Sequence, residues 1–147
     1  MRDPEFLASV AQSAVFNTWL GARVQAGTLH RAIAGDVLRK RETGGLFVCA
    51  EPEVDTPRVA SGEVDPTGPM PGAKTFAADA EAATLEAAAL ATLNLSETGL
   101  ATLHRFAPGT RRPARVLPQD LALDIDGETA EIRFTLPAGC FATVLLG

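Results

Sequence analysis

The sequence predicts an α+β fold in which a helix-rich stretch of about 110 residues precedes a shorter piece rich in β-hairpin. Two observations carry this reading. Leu7, Val10, Ala11, Ala14 and Val15 recur at helical spacing, and the stretch from Ala78 to Asn94 is rich in Ala, Leu and Glu with no Gly or Pro inside it. Near the end of the chain the period changes to two: Leu121, Leu123 and Ile125 alternate with other residues, and so do Ile132, Phe134 and Leu136. At 147 residues the chain can bury one respectable core, or one divided between two lobes.

Asp3-Pro4-Glu5 forms a helix start, with Asp3 as N-cap, Pro4 at the first helical position and an acid in the first turn. The helix is predicted over residues 4–26, with Gly27 as its stop. Asp36 to Lys40 and Leu46 to Ala50 read as a hairpin joined by Arg41-Glu-Thr-Gly-Gly45. Arg39, Lys40 and Arg41 cluster at its tip, either as a solvated edge that discourages strand pairing or as a contact for an RNA backbone. Glu51 to Gly72, dense in Pro, Gly, Asp and Glu, is predicted to be loop with at most one helical turn near Pro57 to Ser61. Ser96 caps a short helix carrying Leu100 and Leu103.

Arg105 to Arg115 then holds four arginines and no acidic residue, a local asymmetry in a chain whose formal net charge is -5. That overall charge argues against a whole-surface nucleic-acid binder, so any RNA contact must be a local patch. Arg115 to Leu117 and Leu121 to Asp126 read as strands, and Asp126-Gly127 as a tight turn into Thr129 to Leu136. Pro137 ends that strand, Gly139 frees the backbone to turn, and Phe141 to Leu146 is apolar enough for a buried helix. Phe141 would thus sit at a strand-to-helix switch, either as core or beside an anion-attracting helix N-terminus. Cys49 and Cys140, with His30 and His104, offer no zinc spacing. No apolar run approaches the length of a membrane span, and the N-terminus lacks the pattern of a signal peptide. A soluble, unexported protein is expected.

Four stretches carry a family resemblance, in order along nearly the whole chain: Ser13-Ala-Val-Phe-Asn17, Pro66-Thr-Gly-Pro-Met-Pro-Gly72, Gly109-Thr-Arg-Arg-Pro113 and Leu136-Pro-Ala-Gly-Cys-Phe-Ala-Thr-Val-Leu-Leu146. Together they resemble the C-terminal portion of the TruD family of tRNA pseudouridine synthases, whose closing motif commonly reads Leu-Pro-Ala-Gly-Ser-Tyr/Phe-Ala-Thr. Cys140 stands where the family usually has Ser.

The resemblance implies that residues 1–110 form part of the inserted α/β domain specific to the family, and 111–147 the truncated return into the pseudouridine synthase catalytic domain. It further implies a cytoplasmic isomerase acting on a uridine in the tRNA D-arm, with no cofactor, no metal, and neither DNA nor membrane as partner. Phe141, with Gly139 and Cys140, would meet the substrate. Arg111, Arg112, Arg115, Arg105, Arg39, Lys40 and Arg41 would meet RNA. The family's nucleophile lies in a Gly-x-Lys-Asp motif that has no counterpart here; Gly72-Ala-Lys-Thr75 is a superficial likeness with Thr in the fourth place. The chain alone is therefore expected to be inactive, its missing N-terminal catalytic segment being a partner. The alternative is a catalytically inactive RNA-binding or protein-interaction module on the same scaffold.

Overall fold

The computed structural model describes residues 3–115 and 119–135, and it is a mixed helix and sheet structure as the sequence predicts. The elements in order are α1 (Pro4–Gln25), β1 (Val37–Lys40), β2 (Leu46–Val48), α2 (Pro52–Ser61), β3 (Val64–Met70), α3 (Ala80–Ala91), α4 (Glu97–Phe106), β4 (Thr110–Pro113), β5 (Gln119–Asp126) and β6 (Thr129–Thr135). The chain divides into two compact units, one running to Ala114 and the other beginning at Arg115.

In the first unit an antiparallel sheet has the order β2-β1-β3-β4. Helix α1 starts as its sequence dictates, with the Asp3 carboxylate accepting from the Glu5 N–H at 3.1 Å and Pro4 in the first turn. One core joins Val15, Phe16 and Trp19 of α1 to Met70 of β3 and Ala89 of α3. A second joins Leu38, Cys49, Val59 and Val64 around β1, α2 and β3.

The stretch from Glu51 to Gly72 departs from the loop expectation. It contains the ten-residue helix α2 and the seven-residue strand β3, every residue of which is buried between β1 and β4. Proline normally excludes a central strand because it lacks a ladder donor. Here both prolines lie where the ladder runs out. The Pro66 carbonyl accepts from the Ala114 N–H at 2.8 Å, one residue past the end of β4. The β1–β3 register, with Leu38 opposite Pro66, carries Pro69 beyond Val37, the first residue of β1. Helix α2 tolerates Pro52 at its first position and even Pro57 within it, because Val59 is fully buried against the sheet and Gly62 ends it at φ 83°.

The last strand of this sheet also differs from expectation. It comprises Thr110–Pro113, residues read as the arginine-rich approach to a strand at Arg115 to Leu117, and Arg115 itself is not in a strand. Because β4 pairs along β3, residues 111–114, assigned from the sequence to the second piece, belong to the first unit.

The second unit contains the β5–β6 hairpin, turning at Gly127 as Asp126-Gly127 predicts, with Leu123 opposite Ile132. Leu123 and Ile125 are exposed. The expected turn at Pro137 to Gly139 and helix from Phe141 to Leu146 lie outside the described residues. No helix among the described residues is long and apolar enough to cross a membrane.

Candidate nucleic-acid interface

The arginine-rich stretch enters the sheet as β4, and strand alternation sends neighbouring side chains to opposite faces. Arg111 points inward. Its guanidinium donates through Nε to the Thr67 hydroxyl at 2.8 Å, through Nη1 to the Phe76 carbonyl and Glu86 at 2.9 Å each, and through Nη2 to the Thr67 carbonyl at 2.8 Å and Glu86 at 2.6 Å. Its side chain is 1% exposed. The expected phosphate contact by Arg111 is thus corrected to a structural role, since every donor it could turn to a phosphate already has a partner inside the fold.

Arg112 takes the other face. Its guanidinium carbon sits 5.0 Å from the centre of the Phe16 ring, half-buried and without a carboxylate partner among the described residues. A guanidinium held over a ring face by this attraction can still offer its N–H donors to other groups. Opposite Arg112 in the register is Gly68. A Cβ there would fall into the Trp19 ring, so Gly68 lets α1 press against the sheet at this point. Ser13 to Asn17 and Pro66 to Gly72 therefore meet around Arg112: Phe16 from the first carries its guanidinium, and Gly68 from the second admits Trp19.

The Thr-Gly-Pro segment has a similarly structural explanation. Thr67 donates to the Val37 carbonyl at 2.6 Å while accepting from Arg111, tying β1, β3 and β4 together. Gly72-Ala-Lys-Thr75 packs as backbone against residues 107–109, with the Ala73 and Lys74 N–H groups donating to the Ala107 and Pro108 carbonyls. Thr75 donates to the Met70 carbonyl at 3.2 Å. This segment is a clamp between two chain crossings.

The remaining basic candidates divide by their partners. Arg41 is paired with Asp65 through two hydrogen bonds, at 2.6 and 3.0 Å. Lys40 is exposed, its ammonium 5.8 Å from the Phe47 ring, and Arg105 is exposed over Phe106 at 5.3 Å. Arg39, Lys40 and Arg105, like Arg112, have no carboxylate partner among the described residues. In the sheet, Arg39 and Lys40 lie beside Asp65 and Val64 at the start of β3, whereas Arg112 lies beside Gly68, nearer its end. Arg115 is half-buried, at the start of the second unit. Gly139, Cys140 and Phe141 fall outside the described residues.

The buried acids are structural. Both Asp36 carboxylate oxygens accept from Arg23 Nη1, at 2.7 and 2.9 Å, with both side chains fully buried, and Asp36 also accepts from the Ile33 N–H at 3.0 Å. Burial raises its carboxyl above the ordinary value against the lowering pull of Arg23 and that N–H. Among the described residues no three His, Cys, Asp or Glu side chains converge as metal ligands. Glu86 and Phe16, which set the roles of Arg111 and Arg112, are not singled out by sequence spacing. Both contacts are long-range, so only the folded sheet reveals them.

Three of the four ordered motifs, at residues 13–17, 66–72 and 109–113, thus meet in α1, β3 and β4, and the family that the motifs resemble is a class of pseudouridine synthases. The family profile described as tRNA pseudouridine synthase D (TruD) matches residues 5–147, and the chain belongs to that family. Among similar proteins, the tRNA pseudouridine synthase D of Anaeromyxobacter sp. (strain Fw109-5) is 45% identical over 139 residues, covering 94% of this chain and 39% of that protein. The one from Thermus thermophilus is 34% identical over 141 residues, covering 96% and 38%. The crystal structure of a candidate tRNA pseudouridine synthase D from Methanosarcina mazei superposes with a TM-score of 0.68 at 27% identity, over 92% of this chain and 35% of that one. The chain thus spans about two fifths of the length of the curated relatives it matches.

Proposed function

We propose that this chain is the C-terminal part of a tRNA pseudouridine synthase that isomerises a uridine in the tRNA D-arm, and that it supplies RNA docking and part of the active-site wall but not the nucleophile. The observation that carries this reading is the family match along residues 5–147 in a sequence without a Gly-x-Lys-Asp motif. The reaction takes the target base out of the helical stack, cleaves its N-glycosidic bond, and rejoins the turned ring through carbon. A carboxylate nucleophile begins it, and the N-terminal catalytic segment of the same protein, bearing the family's Gly-x-Lys-Asp motif, would contribute that group. In this reading the first unit is part of the family's inserted domain and the second part of its catalytic domain. The protein works in the cytoplasm, where Cys49 stays a thiol.

Two kinds of contact follow. Arg112, with Arg115, Arg105, Arg39 and Lys40, meets the phosphate backbone; Arg41 joins them only by sharing its guanidinium with Asp65. Phe141, beside Gly139 and Cys140, stacks on the flipped uracil, a contact worth roughly 1–3 kcal/mol. Their substitutions should behave differently. Arg112→Ala and Arg115→Ala each weaken tRNA binding and lower the slope of log affinity against log salt by about one, because each phosphate contact releases counterions. Phe141→Ala in an assembled enzyme leaves that slope unchanged while turnover falls. Binding titrations across a salt series test this: an unaltered slope in Arg112→Ala would remove Arg112 from the interface. Loss of stability in Phe141→Ala with normal turnover per folded molecule would return Phe141 to the core.

A further inference from the structure

The outer face of α1 carries little charge and several exposed apolar side chains. Of its 22 residues only Glu5 and Arg23 are charged, Arg23 is fully buried, and Glu5 faces the cavity beside α4. A solvent-facing helix side normally carries charge. Here Leu7, Val10, Ala14, Asn17, Gly21 and Val24 follow one another at alternating steps of three and four, the spacing of a helix-packing seam. Leu7 and Val10 are each 51% exposed and Val24 56%. A Cβ built on Gly21 would meet nothing within 4 Å. Apolar residues at both ends, with the small Ala14 and Gly21 and the one polar residue Asn17 between them, would let a second helix approach closely.

We infer that this seam is the docking surface for an apolar helix from the portion of the family's full-length protein that the present chain does not span. This rests on the reading of the chain as part of a TruD synthase, and adds to it the place where the two parts meet. The missing occupant is protein rather than RNA, because the seam offers no cation to a phosphate. It is a segment of the same polypeptide rather than a second copy, because six seam residues fall well short of the roughly 20–30 per side that stable association between separate molecules requires. A tethered segment escapes most of that association cost. About three fifths of the length of the curated relatives lies outside the matched stretch, ample for such a segment.

The test compares the isolated chain with a chimaera in which the unmatched portion of the Anaeromyxobacter Fw109-5 relative is joined to this chain in that protein's own order. Val10→Cys and Asn17→Cys are labelled with a maleimide, with Glu81→Cys on α3 as an exposed control, and labelling is assigned by peptide mass. Positions 10 and 17 should label at least tenfold more slowly in the chimaera, with position 81 unchanged. Equal rates at all three positions would overturn the inference, and so would protection of the isolated chain that grows with its concentration, since that assigns the seam to a second copy. Pseudouridine formation by the chimaera is scored separately. An active chimaera with positions 10 and 17 open removes the docking surface and leaves the enzyme reading standing, whereas a protected but inactive one supports the docking surface and counts against the enzyme reading.

Discussion

Two adjacent arginines of one strand have opposite fates, and substitution should expose the difference. Arg111 is buried against Glu86, so Glu86→Ala leaves an uncompensated guanidinium and should cost about 3–5 kcal/mol, read as a loss of denaturant stability. Arg112→Ala gives up only a ring contact, about 0.5–1 kcal/mol, and its main effect should fall on tRNA affinity. A melt in which the two variants lose equal stability would contradict this division. Cys49 supplies a second residue-level prediction. Burial first, and the Asp55 carboxylate second, push its thiol up from 9.0 to about 12. The native state therefore prefers the neutral thiol: the resulting stability is fully present below pH 9 and is lost as pH rises from there toward 12. Iodoacetamide at about pH 8, below the ordinary thiol value, should spare Cys49 in the native protein and modify it in urea. Cys49→Ala should show a shallower alkaline decline in stability than the parent chain.

At the scale of elements, β3 decides how the first unit holds together. Gly68 sits where Trp19 of α1 needs the space of a side chain, so Gly68→Ala should destabilise by about 1–3 kcal/mol, with partial rescue by a smaller residue at position 19. Unchanged stability in Gly68→Ala would show that α1 does not press on the sheet at this point. The same strand marks the limit of what the sequence discloses. α1, α4 and the β5–β6 turn are legible because local signals agree: Asp3 and Ser96 cap, Pro4 opens, and Asp126-Gly127 turns. β3 and α2 are not, because Pro57, Pro66 and Pro69 read locally as breakers. Only the register with β1 and β4 shows that both strand prolines need no ladder donor, and only the burial of Val59 shows why α2 persists. The candidate site was legible in the same uneven way. Sequence singles out the cluster from Arg105 to Arg115, but which of its arginines is locked into the fold and which rests on a ring depends on Thr67, Glu86 and Phe16, each far away along the chain.

For the molecule as a whole, a net charge of -5 beside a local run of arginines means that the proposed RNA contact would be confined to a restricted surface. Under the two proposals the uncharged outer seam of α1 would meet protein and Arg112, held over Phe16, would meet RNA, so that α1 would serve two different surfaces. The central claim, that this chain contributes docking and wall but no nucleophile, is tested most directly by scoring pseudouridine in tRNA incubated with the isolated chain and with the chimaera carrying the Gly-x-Lys-Asp portion of a relative. The account predicts no product from the chain alone and product from the chimaera. Sustained turnover by the isolated chain, or a folded chimaera that binds tRNA and makes no pseudouridine, would contradict it.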